Sequence, residues 1–372
     1  MVLPVHNGEE YLAQAVESAL GQDVESLELI AVDDASTDGS ARILRGYGER
    51  IRHLRAEKQE SSIATTNIGL RAARGDYVCI LHQDDFFLPG KLRRHVELMD
   101  GDPSVGMSYS AQWFVGPSGE PLAELHSPLR RADYVVAGRD ELHHLAVQNY
   151  LNYCNVVMRR SALETVRTFD NPFWVSADWG VWLRLALGHR VGYIDDLLVG
   201  YRIHPGAQTL ARSEDPEVWE GQLWPVVEEL YGTPGLPESV ASQQRLTAAN
   251  QNMSIGMLQL IRRDWRGGGR SLGRAVKLAG RRLPDLIYSS AVVPRGASRL
   301  KMMVRLRFDV GGRNGAARGS AVALEDLRCA GCGGVTGYPL WRPFRAGGPA
   351  GRRFRCLACG ARWTVGSAVP SR

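Results

Sequence analysis

The sequence predicts an α/β protein whose first part is a mostly parallel sheet flanked by helices. Three observations carry that prediction. Short apolar, β-branched runs recur through the first third of the chain, and stretches with helical spacing separate them. Two of the runs end in acidic pairs, VDD and LHQDD, at the carboxyl ends of strands, where open sheets of this kind take their ligands.

Taken in order, MVLPV is a first strand, short enough that a few residues upstream of the given start are expected. EEYLAQAVESALGQ follows as a helix, with Leu12, Ala15, Val16, Ala19 and Leu20 on one face. LELIAVDD (residues 27–34) is the second strand and breaks into ASTDGS. DGSARILRGYG is helical, IRHLRA a weaker strand, and ATTNIGLRAARG a helix ended by Gly75. YVCIL (residues 77–81) is the clearest strand of all. Much later, YIDDLLVGYRIH (residues 193–204) forms a last strand and a polar turn. Residues 236–288 carry helical patterns, and RGASRLKMMVRLRF (residues 295–308) interleaves basic and apolar side chains. The Gly- and Arg-rich VGGRNGAARGS is a linker. The expected organisation is a catalytic domain over residues 1–235, a basic helical extension over 236–309, a linker over 310–325 and a small cysteine-bearing domain over 326–372.

Composition narrows the classes. At 372 residues the chain holds two or three domains, and 44% hydrophobic with 23% charged residues describes an ordinary globular protein. A net charge of +5 is too weak for a dedicated nucleic-acid binder. The charge is uneven, however: fifteen Lys or Arg stand against three Asp between Arg262 and Arg318. No apolar run is long enough to span a bilayer, and the start lacks the basic and apolar segments of a secretory leader, which implies a cytoplasmic location. Of six cysteines, four form two CxxC pairs near the C-terminus, a pattern that in such a chain favours metal over disulfides.

The pair Asp84-Asp85 poses the sharpest question, because two unpaired carboxylates at the exit of a buried strand cost several kcal/mol. A bound cation removes that cost; an acidic turn capping the next helix is the plainer alternative.

Four stretches, PVHNGEEYLAQAVESALGQ, LIAVDDASTDGS, TNIGLRAARGDYVCILHQDD and SADWGVWLRLALGHRVGYIDDLLVGYRIH, resemble in content and order the family 2 glycosyltransferases, inverting enzymes of the GT-A fold. The resemblance covers about residues 1–235. It implies transfer of a sugar from a nucleotide diphosphate sugar, UDP-linked by preference, to a glycan, lipid-linked or protein acceptor. It also implies Mg²⁺ or Mn²⁺ neutralising the leaving diphosphate. Asp84 matches the family's metal-contacting carboxylate, with His204 completing the metal or diphosphate site. Asp85 would support Asp84 or face acceptor and donor sugar. His82 replaces the first Asp of the usual Asp-x-Asp-Asp and would contact a phosphate or the ion. Asp33 and Asp34 would accept from the nucleotide base, or simply make Asx turns. Pro4, His6, Asn7 and Glu9 would line the base and ribose pocket, Asn67 and Gly69 the donor side of the third helix, and Arg202 a phosphate. Asp178 falls where the family carries its general base, with Ala177 where a Glu is frequent. Ser176 or Asp178 serves equally as a helix N-cap. Trp179 and Trp182 could stack on sugar, or belong to the core. The substitutions at His82 and Ala177 motivate the rival reading, a catalytically silent GT-A binding module.

Cys329, Cys332, Cys356 and Cys359 fit a four-thiolate zinc ribbon, with a redox dithiol as the alternative. The basic stretch near residue 300 implies peripheral contact with an anionic inner membrane face, against a solvated helix packed on the catalytic domain.

Overall fold

The computed structural model describes residues 1–57, 61–166, 176–204, 206–207, 216–289, 337–339, 351–356 and 362–366. Met1–Arg307 forms one compact unit and Phe308–Arg372 another.

The first unit opens with β1 (Val2–Val5), α1 (Leu12–Leu20), β2 (Ile30–Asp33), α2 (Ser40–Gly46), β3 (Arg52–Arg55), α3 (Ser62–Ala72) and β4 (Tyr77–Cys79). β1 and β2 pair in parallel, as do β2 and β3. One parallel bridge, Val2 to Ile80, joins β1 to β4. The expected parallel sheet is therefore present in this half. The remainder is mixed: β5 (Phe86–Phe87), α4 (Lys91–Asp100), β6 (Val105–Val115), β7 (Pro121–Leu125), β8 (Tyr134–Val136), α5 (Gly138–Leu145), β9 (Val156–Arg159), α6 (Arg160–Thr165), α7 (Ala177–Gly188) and β10 (Arg190–Arg202). Strands run in the order β4-β9-β6-β10-β5, with β7 against β6 and β8 against β10. Only β6 and β10 are parallel there; β4–β9, β6–β9 and β10–β5 are antiparallel.

Alternation along the strands sorts the core into two layers. Val2, Val78, Ile80 and Met158 face the layer that holds Leu142, Trp179 and Trp182 of α5 and α7. Leu3, Val5, Cys79, Leu81 and Val157 face the opposite layer with Leu12 and Val16 of α1 and Met99 of α4. A period of two in the strands thus builds both faces at once.

Pro4 explains why β1 and β4 are held by a single bridge. The odd residues of β1 exchange hydrogen bonds with β2, since Met1 O accepts from Ile30 N and Val5 O from Asp34 N, while Val2 O accepts from Leu81 N on the β4 side. Pro4 therefore turns toward β4 the one position without an N–H. The two strands part beyond Ile80 and open a crevice at their carboxyl ends.

After β10 come α8 (Pro216–Tyr231), α9 (Glu238–Ala241), α10 (Gln244–Ile261), α11 (Trp265–Ala279) and α12 (Leu283–Ser289). Leu246, Ala249, Ala279 and Leu286 pack on Val147, and Thr247 donates to Ala146 O at 3.1 Å, so these helices seat on the segment after α5. No helix among the described residues is long and apolar enough to cross a membrane. In the second unit β11 (Gly337–Pro339), β12 (Gly351–Cys356) and β13 (Arg362–Gly366) form an antiparallel sheet. Cys329, Cys332 and Cys359, the linker and the basic stretch at 295–308 lie outside the described residues, as do the side chains of β12, Cys356 included.

Candidate active site

The crevice between β1 and β4 is rebuilt by a side chain. Gln83 takes the backbone N–H of His6 on Oε1 at 2.7 Å and donates Nε2 to His6 O at 2.9 Å, replacing the strand pairing that Pro4 ends. A Cβ on Gly8 would lie 2.4 Å from the Gln83 amide, so glycine is required for this clamp. His6 Nδ1 sits 2.8 Å from Asp34 O, tying the ends of β1, β2 and β4 together.

The loops after β1 and β2 are stitched to each other. Thr37 N donates to Asn7 Oδ1 (2.8 Å), Asn7 N to Ser36 Oγ (3.1 Å), Gly39 N to Glu9 Oε2 (2.7 Å) and Glu9 N to Asp38 Oδ2 (3.0 Å). Asn7 and Glu9, expected to line a base pocket, thus fix the loops that would form it. Asp33 makes the anticipated Asx turn through one oxygen, accepting from Ser36 N at 2.9 Å. Its other oxygen is buried, accepts no hydrogen bond among the described residues, and lies 3.6 Å from Arg55 Nη1. Asp34 is buried beside it.

His82, Asp84 and Asp85 present one ligand atom each, all within 4.8 Å of one another. Burial raises the Asp84 carboxyl, but the hydrogen bond from His204 and the neighbouring imidazoles outweigh it and hold it below the usual range. Asp85 moves the other way: burial, then the Asp84 charge, push it well up, against the N–H of Arg202. Two adjacent carboxylates that cannot both ionise without help fit a hard divalent cation, and His82, kept neutral by burial, adds one imidazole to an otherwise oxygen donor set. His204 Nε2 lies 3.1 Å from Asp84 Oδ2 and so orients that carboxylate. The tight triad itself is His82, Asp84 and Asp85.

Arg202 is a brace. It donates Nε to Asp84 O (2.8 Å), Nη1 to Pro117 O (2.7 Å) and Gly116 O (3.2 Å), and Nη2 to Gln14 Oε1, while its plane covers Tyr11 at 4.4 Å. Its backbone N–H donates to Asp85 Oδ1 at 2.8 Å. Four of its five N–H donors are bound to the protein, and through them Arg202 fixes the acidic pair.

Asp178 stands in the first turn of α7 and is buried. It accepts from Trp179 N at 2.6 Å and bonds the Asn149 side chain, yet loss of water dominates and raises its carboxyl to about 7. Ser176 does not cap the helix; its hydroxyl donates to Gln222 O at 2.7 Å. Tyr153 links the two acidic centres, its ring 5.0 Å from that of His82 and its phenol held protonated by burial and by Asp178.

Several expectations are corrected. Trp179 and Trp182 are fully buried, Trp179 Nε1 donating to Leu145 O at 2.8 Å, so neither stacks on sugar. Gly69 faces Val2, whose Cγ1 would lie 2.3 Å from an added Cβ; it lets α3 approach β1 rather than shaping a donor pocket. Asn67 is half-buried two residues before it on α3.

Sequence reasoning missed Gln83, which clamps the backbone of His6, Asn149 and Tyr153 beside Asp178, Cys154 bonded to Asp85, and the fully buried Lys91. Its ammonium lies 3.2 Å from His95 Nε2 and 3.3 Å from Asn155 O, and burial lowers it to about 8. Gln83 was readable as the odd residue inside the acidic motif. The others are ordinary residues whose positions depend on tertiary packing.

Residues 1–165 match the profile of the family described as Glycosyl transferase family 2. A Rickettsia conorii protein described as an uncharacterized glycosyltransferase is 22% identical over 240 residues, covering 62% of this chain and 38% of that protein. The putative teichuronic acid biosynthesis glycosyltransferase TuaG of Bacillus subtilis is 33% identical over 132 residues, 34% of this chain and 52% of its own length. The chain thus spans well under two thirds of either relative. Among solved structures, S. aureus TarS 1–349 in complex with UDP-GlcNAc superposes with a TM-score of 0.56 at 17% identity, covering 77% of this chain and 82% of TarS. The mannosyltransferase PcManGT of Pyrobaculum calidifontis, in complex with GDP-Man and Mn²⁺, gives 0.53 at 16% identity over 88% and 86% of the two chains. The fold is that of these GT-A proteins.

Proposed function

From the match of residues 1–165 to the family 2 glycosyltransferase profile we propose that the chain moves a sugar, with inversion, from a nucleotide diphosphate sugar to a hydroxyl of a growing cell-surface polysaccharide. The observation that carries the reading is the pairing of two unlike carboxylate centres: a tight triad suited to a cation, and a separate buried carboxyl raised to about 7. The UDP-GlcNAc and GDP-Man complexes of the structural neighbours support a nucleotide-sugar donor, and the name of the TuaG relative supports a polysaccharide product.

In this mechanism the nucleotide base lies in the crevice after β1 and β2, at the loops that Asp33 and Asn7 fix. His82, Asp84 and Asp85 would hold a divalent ion, which would neutralise charge on the departing diphosphate. His204 orients Asp84; Arg202 holds both members of the acidic pair through main-chain and side-chain bonds. Asp178, ionised, takes the proton of the acceptor hydroxyl as its oxygen bonds to the anomeric carbon. The bond from that carbon to the diphosphate breaks, and the nucleotide diphosphate leaves with the electron pair. A base poised near 7 is matched to neutral operation. Trp179 N and the Asn149 side chain keep its carboxylate aimed.

The test is release of nucleotide diphosphate from UDP- and GDP-sugars with Mg²⁺ or Mn²⁺ and a cell-wall polysaccharide acceptor. Wild type should turn over, and Asp84→Asn and Asp178→Asn should each lose at least two orders of magnitude in kcat/KM. Equal turnover in all three proteins, or none in wild type with unimpaired donor binding, would overturn the reading in favour of a silent binding module.

A further inference from the structure

We propose that the outer face of α11 and the cleft at its C-terminal end are a docking surface for an anionic phospholipid membrane. The inference goes beyond sugar transfer and does not rest on it.

The buried side of α11 is made for tight packing on α10. Gly267, Gly268, Ser271, Ala275 and Ala279 are buried. An added Cβ on Gly268 would lie 2.6 Å from Leu260 and 3.1 Å from Gly256 O, and Ser271 Oγ donates to Gln259 Oε1 at 2.8 Å. That contact consumes one side of the helix and leaves the other without a protein partner among the described residues. Helical spacing lines Arg266, Arg270, Arg274 and Lys277 along the free side, and Arg281 follows in the turn after Gly280. All five are exposed and make no ion pair among the described residues. The acidic groups nearby are engaged elsewhere: Asp264 caps α11 by accepting from Gly267 N at 2.8 Å, and Asp285 lies 3.1 Å from Arg282 Nε.

Two features distinguish this face from a merely solvated cationic helix. Trp265 and Val276, eleven residues apart and so on one line of the helix, flank the cationic stripe and are 68% and 50% exposed. An exposed indole beside a row of cations is the chemistry of a bilayer interface, where the ring sits at headgroup level and the cations meet phosphate. The stripe also runs into an open cleft of about 270 Å³ lined by Ser242, Arg245, Arg281 and Arg282. Arg245 and Arg281, which make no ion pair among the described residues, bring two guanidiniums to this depression beside Arg282, itself paired with Asp285, and two guanidiniums at one depression suit a phosphodiester. Phosphate alone explains the cleft and the stripe. Trp265 and the aliphatic Val276 are exposed together on one line of the helix; insertion at headgroup depth uses both, whereas base stacking by a polynucleotide uses the ring and leaves Val276 in water.

The experiment is co-sedimentation of the full chain with vesicles of phosphatidylcholine and of phosphatidylcholine mixed with phosphatidylglycerol. The protein should sediment with the anionic vesicles alone, and less as salt rises. Each cation near an anionic surface is worth roughly five-fold in partition, so Arg270→Gln/Arg274→Gln/Lys277→Gln should weaken it about a hundredfold, and Arg245→Ala/Arg281→Ala by at least tenfold. Brominated lipid should quench part of the tryptophan fluorescence, and that part should vanish in Trp265→Phe. These surface substitutions should leave the melting temperature and sugar transfer from a soluble donor unchanged, which separates failure of docking from failure of the enzyme. Equal sedimentation with both vesicles, full binding by the triple variant, no quenching specific to Trp265, or binding to single-stranded polynucleotide in preference to anionic vesicles would each overturn the proposal.

Discussion

Replacing Asp178 by Asn should abolish transfer while stabilising the protein, and the stabilisation should depend on pH in a defined direction. The side chains are isosteric, and Asn retains an acceptor for Trp179 N and a partner for Asn149. What is lost is a charge held out of water. The folded carboxyl sits at about 7 against 3.8 for the free group. At about 1.36 kcal/mol per pKa unit that corresponds to roughly 4 kcal/mol of destabilisation once the group is ionised. The sign follows from proton counting: between the two values the folded state binds more protons than the unfolded chain, so wild-type stability falls as pH rises from about 4 to about 7. Asn carries no such dependence. Urea unfolding of both proteins across that range should give curves whose gap widens with pH and flattens above about 8, with the variant more stable by up to roughly 4 kcal/mol. Wild-type kcat/KM should fall below about pH 7 as the base becomes protonated. A variant equally or less stable at pH 8, together with a pH-independent gap, would refute the claim that Asp178 is a desolvated base.

Other outcomes follow from the same geometry. Gly8→Ala forces the Gln83 amide off His6 and should raise KM for the donor several-fold with a small effect on the melting temperature, read by steady-state kinetics and thermal denaturation. Arg202→Lys takes the donors from the carbonyls of Asp84 and Pro117 and should cost about 3 kcal/mol in urea unfolding, since each buried acceptor left without a donor costs about 1–3 kcal/mol. Gly69→Ala drives a methyl into Val2 and should cost about 1–3 kcal/mol, leaving KM unchanged if α3 has only a packing role there.

Much of the parallel half of the fold was legible because each of its elements carries its own signal. Short continuous apolar runs mark β1, β2 and β4, and helical spacing marks α1. In the mixed half β10 was legible as the last strand and most of the rest was not. β6 and β9 sit with both faces buried, so they show no period of two, and β6 reaches eleven residues with Ser108, Ser110 and Gln112 buried in it. Polar residues at core positions disguise a central strand. In the site, the charged residues announced themselves by type and place: His82, Asp84 and Asp85 come together, and His204 joins Asp84 across 120 positions of chain. For Arg202, Asn7 and Glu9 the sequence placed the residue at the site and the structure adds the protein groups that each one holds, while Trp182 takes the core position that was its alternative. A sequence shows that a donor, acceptor or ring exists, whereas only packing shows which protein groups have already claimed it.

Binding of Mn²⁺, followed by its electron paramagnetic resonance signal with and without UDP, tests the acidic triad most directly. We expect one Mn²⁺ per chain, tightened by UDP, weakened at least tenfold in Asp84→Asn and left intact in Asp178→Asn. Undiminished binding in Asp84→Asn, or loss of the ion only on changing Asp178, would contradict the assignment of the cation to His82, Asp84 and Asp85.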